Sequence, residues 1–212
     1  MNPADILSSI QTSLKQGGFY DGQIDSKWGP LSGQALNDCV KASLAPVVVP
    51  ATASAPVDVT GLGLQHNDWP LEDDAGDFFG YPPNLTQVEL PYVVQIDAEK
   101  VTHVTCNMKV AASLRRIFAA IFTHFGGNME AIHDVGLDIY DGCYDDRSIR
   151  GSSRRSMHAY GAAIDLDAEH NPLGALSGRM PRAVVDIFKA EGWRWGGDYA
   201  GRKDWMHFEA CR

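Results

Sequence analysis

An α+β fold with helices packed on an antiparallel sheet is predicted by three features of the sequence. The segments "AAIDLD" and "WMHFEA" alternate apolar and polar residues with the period of two that a half-buried strand requires. By contrast, "NMKVAASLRRIFAAIFTHFG" and "MPRAVVDIFKAEGW" repeat their apolar residues at helical spacing. The two kinds of segment follow one another irregularly, which is the α+β pattern and not a strict βα alternation. At 212 residues the chain is long enough for one substantial core and a small second module.

Residues 1–43 read as a compact helical module. Ile6, Leu7, Ile10 and Leu14 recur at helical spacing, "QGGFYDGQIDSKWGP" supplies turn residues, and Ser32 precedes a second apolar run through Ala35, Leu36 and Val40. Phe19, Tyr20, Ile24 and Trp28 are its expected core. Residues 44–63 are a linker, because "ASLAPVVVPATASAPVDV" is rich in Pro and Ala and nearly uncharged. Residues 64–212 form the main domain. It opens with an acidic, loop-like stretch whose Trp69, Phe78, Phe79 and Tyr81 are expected to wrap it onto the core. "LPYVVQI" follows as a strand, then a helix stopped by Gly126 and Gly127. "AIHDVGLDIYDG" reads as a second strand region, and "AAIDLD" as a strand with Asp165 and Asp167 on one face. The last helix opens near Pro181 and closes at Gly192. The final strand places Trp205, His207 and Glu209 on one side.

Composition excludes several function classes. A hydrophobic content of 44% with 21% charged residues is that of an ordinary globular protein. The net charge of -9 argues against nucleic acid as a partner, since phosphate binding needs clustered Lys and Arg. No apolar run approaches the ~20 residues that span a bilayer, so no membrane insertion is expected. "MNPADILSSIQTSL" lacks a basic start and an uninterrupted apolar stretch, so synthesis without a secretory signal is expected. Cys39, Cys106, Cys143 and Cys211 have no C-x-x-C spacing; they read as buried thiols, with a disulfide after export as the alternative. The basic run "RSIRGSSRR" is either a solvated face or a site for a substrate carboxylate.

Two polar clusters in the last third of the chain suggest a metal site. If the strands holding Asp165 and His207 pair, both side chains reach one point, and His158 arrives from a turn where Gly161, Ala162 and Ala163 permit close approach. Two imidazoles and a carboxylate suit Zn2+, and a three-ligand site leaves a position open for catalysis. Asp204, three residues before His207, is the candidate general base. Arg147, and after it Arg150, are candidates for holding a substrate carboxylate or the developing oxyanion. Asp198 either orients a ligand by a hydrogen bond or caps a turn. His66, His103, His124, His133 and His170 read as core or surface residues.

"SMHAYGAAIDLD" with "DWMHFE" resembles the S-x-H-x6-D and [ED]-x-x-H motifs of the VanY-like zinc D-alanyl-D-alanine carboxypeptidases and L-alanyl-D-glutamate endopeptidases. The resemblance implies zinc ligands His158, Asp165 and His207, Asp204 as the base, Arg147 at the substrate, and a substrate-side role for Ser156 together with Arg150 and Asp198. Asp stands at the base position where the family often has Glu. Separately, "SLKQGGFYDGQIDSKWGPLSGQAL" resembles the three-helix peptidoglycan-binding module. The two together resemble a phage or prophage endolysin, which implies a monomer made in the host cytoplasm that reaches peptidoglycan once the membrane is opened. The implied activity is L-Ala-D-Glu endopeptidase. The alternatives are a D-alanyl-D-alanine carboxypeptidase and a noncatalytic wall-binding or virion protein.

Overall fold

The computed structural model describes residues 2–16, 18, 20–27, 29, 31–36, 61–149 and 151–212. Phe19, Trp28, Cys39, Val40, Arg150 and residues 44–60 of the linker read at 44–63 lie outside the described residues. The chain divides into two compact units, Met1–Thr52 and Ala53–Arg212. No helix among the described residues is long and apolar enough to cross a membrane.

The first unit holds α1 (Pro3–Gln16) and a helical stretch α2 over residues 31–36. Leu14, Tyr20 and Ala35 form its small core, with Ile10 packed against them. Ile24, expected in that core, is exposed. A buried polar side chain ties the unit together. Gln11 is fully enclosed, accepts from the backbone N–H groups of Asp25 and Ser26 at 3.1 Å, and donates to the Lys27 carbonyl at 2.9 Å. A module too small for a large apolar core gains definition from such a satisfied amide.

In the second unit, α3 (Ala75–Phe79) follows the acidic stretch, and Trp69 and Phe79 are buried in the core as expected. Tyr81 instead stays exposed, its hydroxyl donating to Asp146 at 2.8 Å. The strand read at "LPYVVQI" is longer, β1 (Leu85–Ile96), and it pairs antiparallel with β2 (Glu99–Asn107). Asp97 and Ala98 both take positive φ to make the two-residue turn. Helix α4 (Ala111–His124) buries Leu114, Ile117, Phe118 and Ile121 on one face. The expected strand at "AIHDVGLDIYDG" is corrected in part. Asn128 caps a short helix α5 (Met129–Asp134) by accepting from Glu130 and Ala131 N–H, and only β3 (Tyr140–Gly142) is extended.

The sheet that matters for chemistry has the order β3-β4-β6-β5, all pairs antiparallel, with β4 (Ala163–Leu166), β5 (Arg194–Trp195) and β6 (His207–Glu209). Asp165 lies directly opposite His207 in the β4–β6 register. Behind the sheet, helix α6 (Arg182–Ala190) sets Phe188 stacked on Phe208 at 3.9 Å between ring centroids. Phe208 thus faces the core while its neighbours His207 and Glu209 face the other way. Asp167 does not share the face of Asp165. It follows β4 at φ 50° and turns its carboxylate to His170, Asn171 and Arg179, anchoring the loop after the strand.

One buried carboxylate fastens the 65–69 segment to the core. Glu191 accepts from Gln65 N–H at 2.7 Å, Asn67 at 2.8 Å, Ser113 at 2.7 Å and twice from Arg116 at 2.7 and 2.8 Å. Burial alone would raise its pKa, but the Arg116 guanidinium and the other donors outweigh burial and hold it below the ordinary glutamate value. A lowered carboxylate pKa contributes stability above the unfolded value and loses it as pH falls through the folded one. Glu191→Gln is therefore expected to cost ~2–4 kcal/mol near pH 7, at the lower end for a broken buried pair because Arg116 keeps some access to water. Urea unfolding of the full chain should also show the gap between wild type and variant closing as pH drops below the ordinary glutamate range. A pH-independent gap would mean that the charge of Glu191 is not what stabilises.

Candidate metal centre

His158 stands in a one-turn 3-10 helix, Met157–Tyr160, whose N-cap is Ser156. The Ser156 hydroxyl accepts from His158 N–H at 3.3 Å, so its visible role is to start the turn that carries the imidazole. Gly161 ends the turn at φ 63°, with its carbonyl accepting from Asn107 N–H at 2.8 Å. A Cβ at Gly161 would lie 2.8 Å from that same nitrogen, so the close approach read from the small residues is a packing requirement against β2.

The Cys143 carbonyl lies 2.9 Å from His158 Nδ1. A carbonyl only accepts, so Nδ1 carries the proton and Nε2 is left with its lone pair. That Nε2 is 3.2 Å from Asp165 Oδ2 and 3.2 Å from His207 Nδ1, and His207 Nδ1 is 2.8 Å from Asp165 Oδ1. A tetrahedral ion with bonds of ~2.0 Å separates its ligand atoms by about 3.3 Å, so the two ring nitrogens and the Asp165 carboxylate are close to the spacing a zinc ion requires. His158, Asp165 and His207 are all buried, and together they form a group able to hold a metal ion. The structure therefore brings the three residues together by strand register and one turn.

Charge within the group is strongly coupled. Burial would raise the Asp165 carboxyl, yet the facing imidazoles of His158 and His207 hold it well below the usual range. Burial would likewise favour neutral His207, but Asp165 and Glu209 raise its pKa. Glu209, whose role the sequence reading did not develop, lies 3.4 Å from His207 Nε2 and is itself held low against burial by His207 and Arg194.

Asp204 lines the same cavity of about 1150 Å³ as the three residues. Its Oδ1 is buried without a hydrogen-bond partner, and burial raises its pKa, with the charge of Asp165 adding to the effect. An unpartnered acid with a raised pKa is suited to taking and returning a proton. Arg147 also lines the cavity, half-exposed, with Nε donating to Asp145 at 2.8 Å. Asp198 lines it too, but its carboxylate pairs with Lys189 at 2.5 Å and reaches neither histidine by a described hydrogen bond. Arg150 lies outside the described residues. Four contributors were missed: the Cys143 carbonyl, Glu209, and Arg194 and Tyr199, which both donate to the Glu209 carboxylate. Only Glu209 carried a signal, through its alternation with His207.

Cys106, Cys143 and Cys211 are buried free thiols, as the sequence suggested, and burial raises all three. His133 pairs with Asp138 and His170 with Asp167, away from the cavity lining.

No solved structure matches the chain. Residues 150–210 match a family model described as D-alanyl-D-alanine carboxypeptidase. That segment contains His158, Asp165, Asp204 and His207, and the match marks the chain as an enzyme of the metallopeptidase class.

Proposed function

We propose that the protein is a zinc-dependent peptidoglycan peptidase that hydrolyses the L-Ala-D-Glu amide of the stem peptide and acts as an endolysin. The observation that carries this reading is the convergence of His158, Asp165 and His207 beside the unpartnered carboxylate of Asp204 in one cavity. A zinc ion held by the three residues would supply Lewis acidity and lower the pKa of a water toward ~7. Asp204 takes the proton of the attacking water and returns it to the leaving amine. Arg147 exchanges its exposed partner Asp145 for a stem-peptide carboxylate, a change with small cost because exposed ion pairs contribute little. Ser156 acts through His158 by capping its turn.

In this reading residues 1–43 bind the wall, 44–63 tether, and 64–212 cut. Tethering raises the local concentration of enzyme at its substrate. The cavity of about 1150 Å³ exceeds that of most small-molecule sites, which favours a substrate extending on both sides of the cleaved bond. The second reading, removal of a terminal D-Ala, is favoured by the description of the matching family. Mass spectrometry of purified peptidoglycan, digested with and without chelator, separates them. New amino termini at D-Glu support the endopeptidase, free D-Ala supports the carboxypeptidase, and an unchanged muropeptide profile overturns both.

A further inference from the structure

Three arginines among the described residues line the cavity that holds the metal-binding group: Arg147, Arg194 and Arg202. Two of them are already paired. Arg147 donates to Asp145 at 2.8 Å, and Arg194 is held between Glu72 and Glu209, each at 2.7 Å. Arg202 has no carboxylate partner among the described residues; its hydrogen bond runs from Nη2 to the Leu173 carbonyl at 3.5 Å. An arginine keeps its charge at any working pH, and its planar fork matches a carboxylate with two parallel N–H groups. A cation without a counterion on the wall of a cavity is a place for an anionic group of a ligand.

The loops around this guanidinium are fastened to each other. The Gly174 N–H donates to the Lys203 carbonyl at 2.7 Å, and Trp205 Nε1 donates to the Ala175 carbonyl at 2.9 Å, so the loop after β4 and the loop before β6 are tied where Arg202 leaves the chain. The side chain lies over Gly174, where a Cβ would come 2.6 Å from Nε and displace it.

We propose that Arg202 is a specificity-determining residue that binds the α-carboxylate of the amino acid whose amine is released. The inference rests on the peptidase reading and deepens it. Arg202 is two residues from Asp204, at most ~7 Å away along the backbone, and both line the cavity. In the proposed reaction Asp204 returns a proton to the leaving amine, and the α-carboxylate sits on the carbon that bears that amine. The cation beside the proton donor therefore stands on the leaving-group side. Arg147 comes from another segment, before the His158 turn, and must first give up Asp145. Both candidate reactions present the same chemistry. D-Glu, whose chain continues through its γ-carboxyl, and a terminal D-Ala each carry a free α-carboxylate next to the new amine. An α-carboxamide has the same shape without the charge, so amidated substrates are disfavoured.

Two pairs of synthetic peptides test this with the zinc-loaded full chain. One pair begins L-Ala-D-Glu with the D-Glu α-carboxylate free or amidated, and the other ends D-Ala-D-Ala with its terminus free or amidated. The pair that is cleaved identifies the source of the carboxylate. Wild type is expected to favour the acid of that pair by about 10–100-fold in kcat/KM, the contribution of charge-assisted hydrogen bonds. Arg202→Gln should lose this preference through a higher KM for the acid, and Arg202→Lys, which keeps the charge without the fork, should retain part of it. Circular dichroism and zinc affinity should hold in both variants, because Arg202 is exposed and outside the three-residue group. An Arg202→Gln chain that still prefers the acid overturns the proposal, as does a wild type that cleaves acid and amide alike, and both results leave the peptidase reading intact. Cleavage of neither pair also overturns it; if peptidoglycan is left intact as well, the peptidase reading falls with it.

Discussion

His158→Ala is expected to abolish zinc binding and, with it, release of fragments from peptidoglycan. The imidazole supplies Nε2 at 3.2 Å from both other members of the group, and two residues cannot replace a three-ligand site. Ligand binding stabilises a native state by RT ln(1 + [L]/Kd), or ~4 kcal/mol at a thousandfold excess over Kd. A thermal melt of the wild type should therefore rise clearly on adding zinc, and that of the variant should not move. The apo variant is expected to lose ~1–3 kcal/mol, because the removed ring is buried and leaves the Cys143 carbonyl without its donor. His170→Ala is the matching control, since His170 is half-exposed and bonds to Asp167. A zinc-dependent shift retained in His158→Ala would remove this residue from the ligand set.

The chemistry was legible where it rested on strand periodicity. Alternation in "AAIDLD" and "WMHFEA" marks Asp165 and His207 as opposing their apolar neighbours, and pairing of the two strands is all that is then needed to join them. The reading failed where backbone atoms or distant residues contribute. The Cys143 carbonyl that orients His158 has no residue-type signature, and Glu72, which holds Arg194, comes from a segment that read as an acidic loop. Asp167 broke the alternation because a left-handed residue ends β4 after Leu166. Strand β2 was missed because its outward residues are polar and its inward ones, Val104 and Cys106, are small beside the aromatics that signal other segments. In "AIHDVGLDIYDG" the Asn128 cap, three residues before Ala131, decided for a short helix over the apolar pattern.

Asp204→Asn separates binding from turnover. The amide has the size of the carboxylate but cannot take a proton, so fragment release should slow by about 10²–10⁴-fold, the usual contribution of a general acid–base group. Zinc affinity should stay close to wild type because Asp204 lies outside the three-residue group. Stability should move in the opposite direction from activity. Burial raises the Asp204 pKa, so between the ordinary aspartate value and the raised one the folded state binds more protons than the unfolded state. The stability contribution of Asp204 therefore falls as pH rises through that window. Its Oδ1 has no partner to lose, so the neutral amide removes a cost without breaking a bond. The apo variant should accordingly unfold at equal or higher urea than wild type at pH 7, with the difference shrinking as pH falls below the ordinary aspartate range. A variant with unchanged turnover would remove Asp204 from the reaction. One that loses turnover together with zinc affinity would assign it to holding the metal instead.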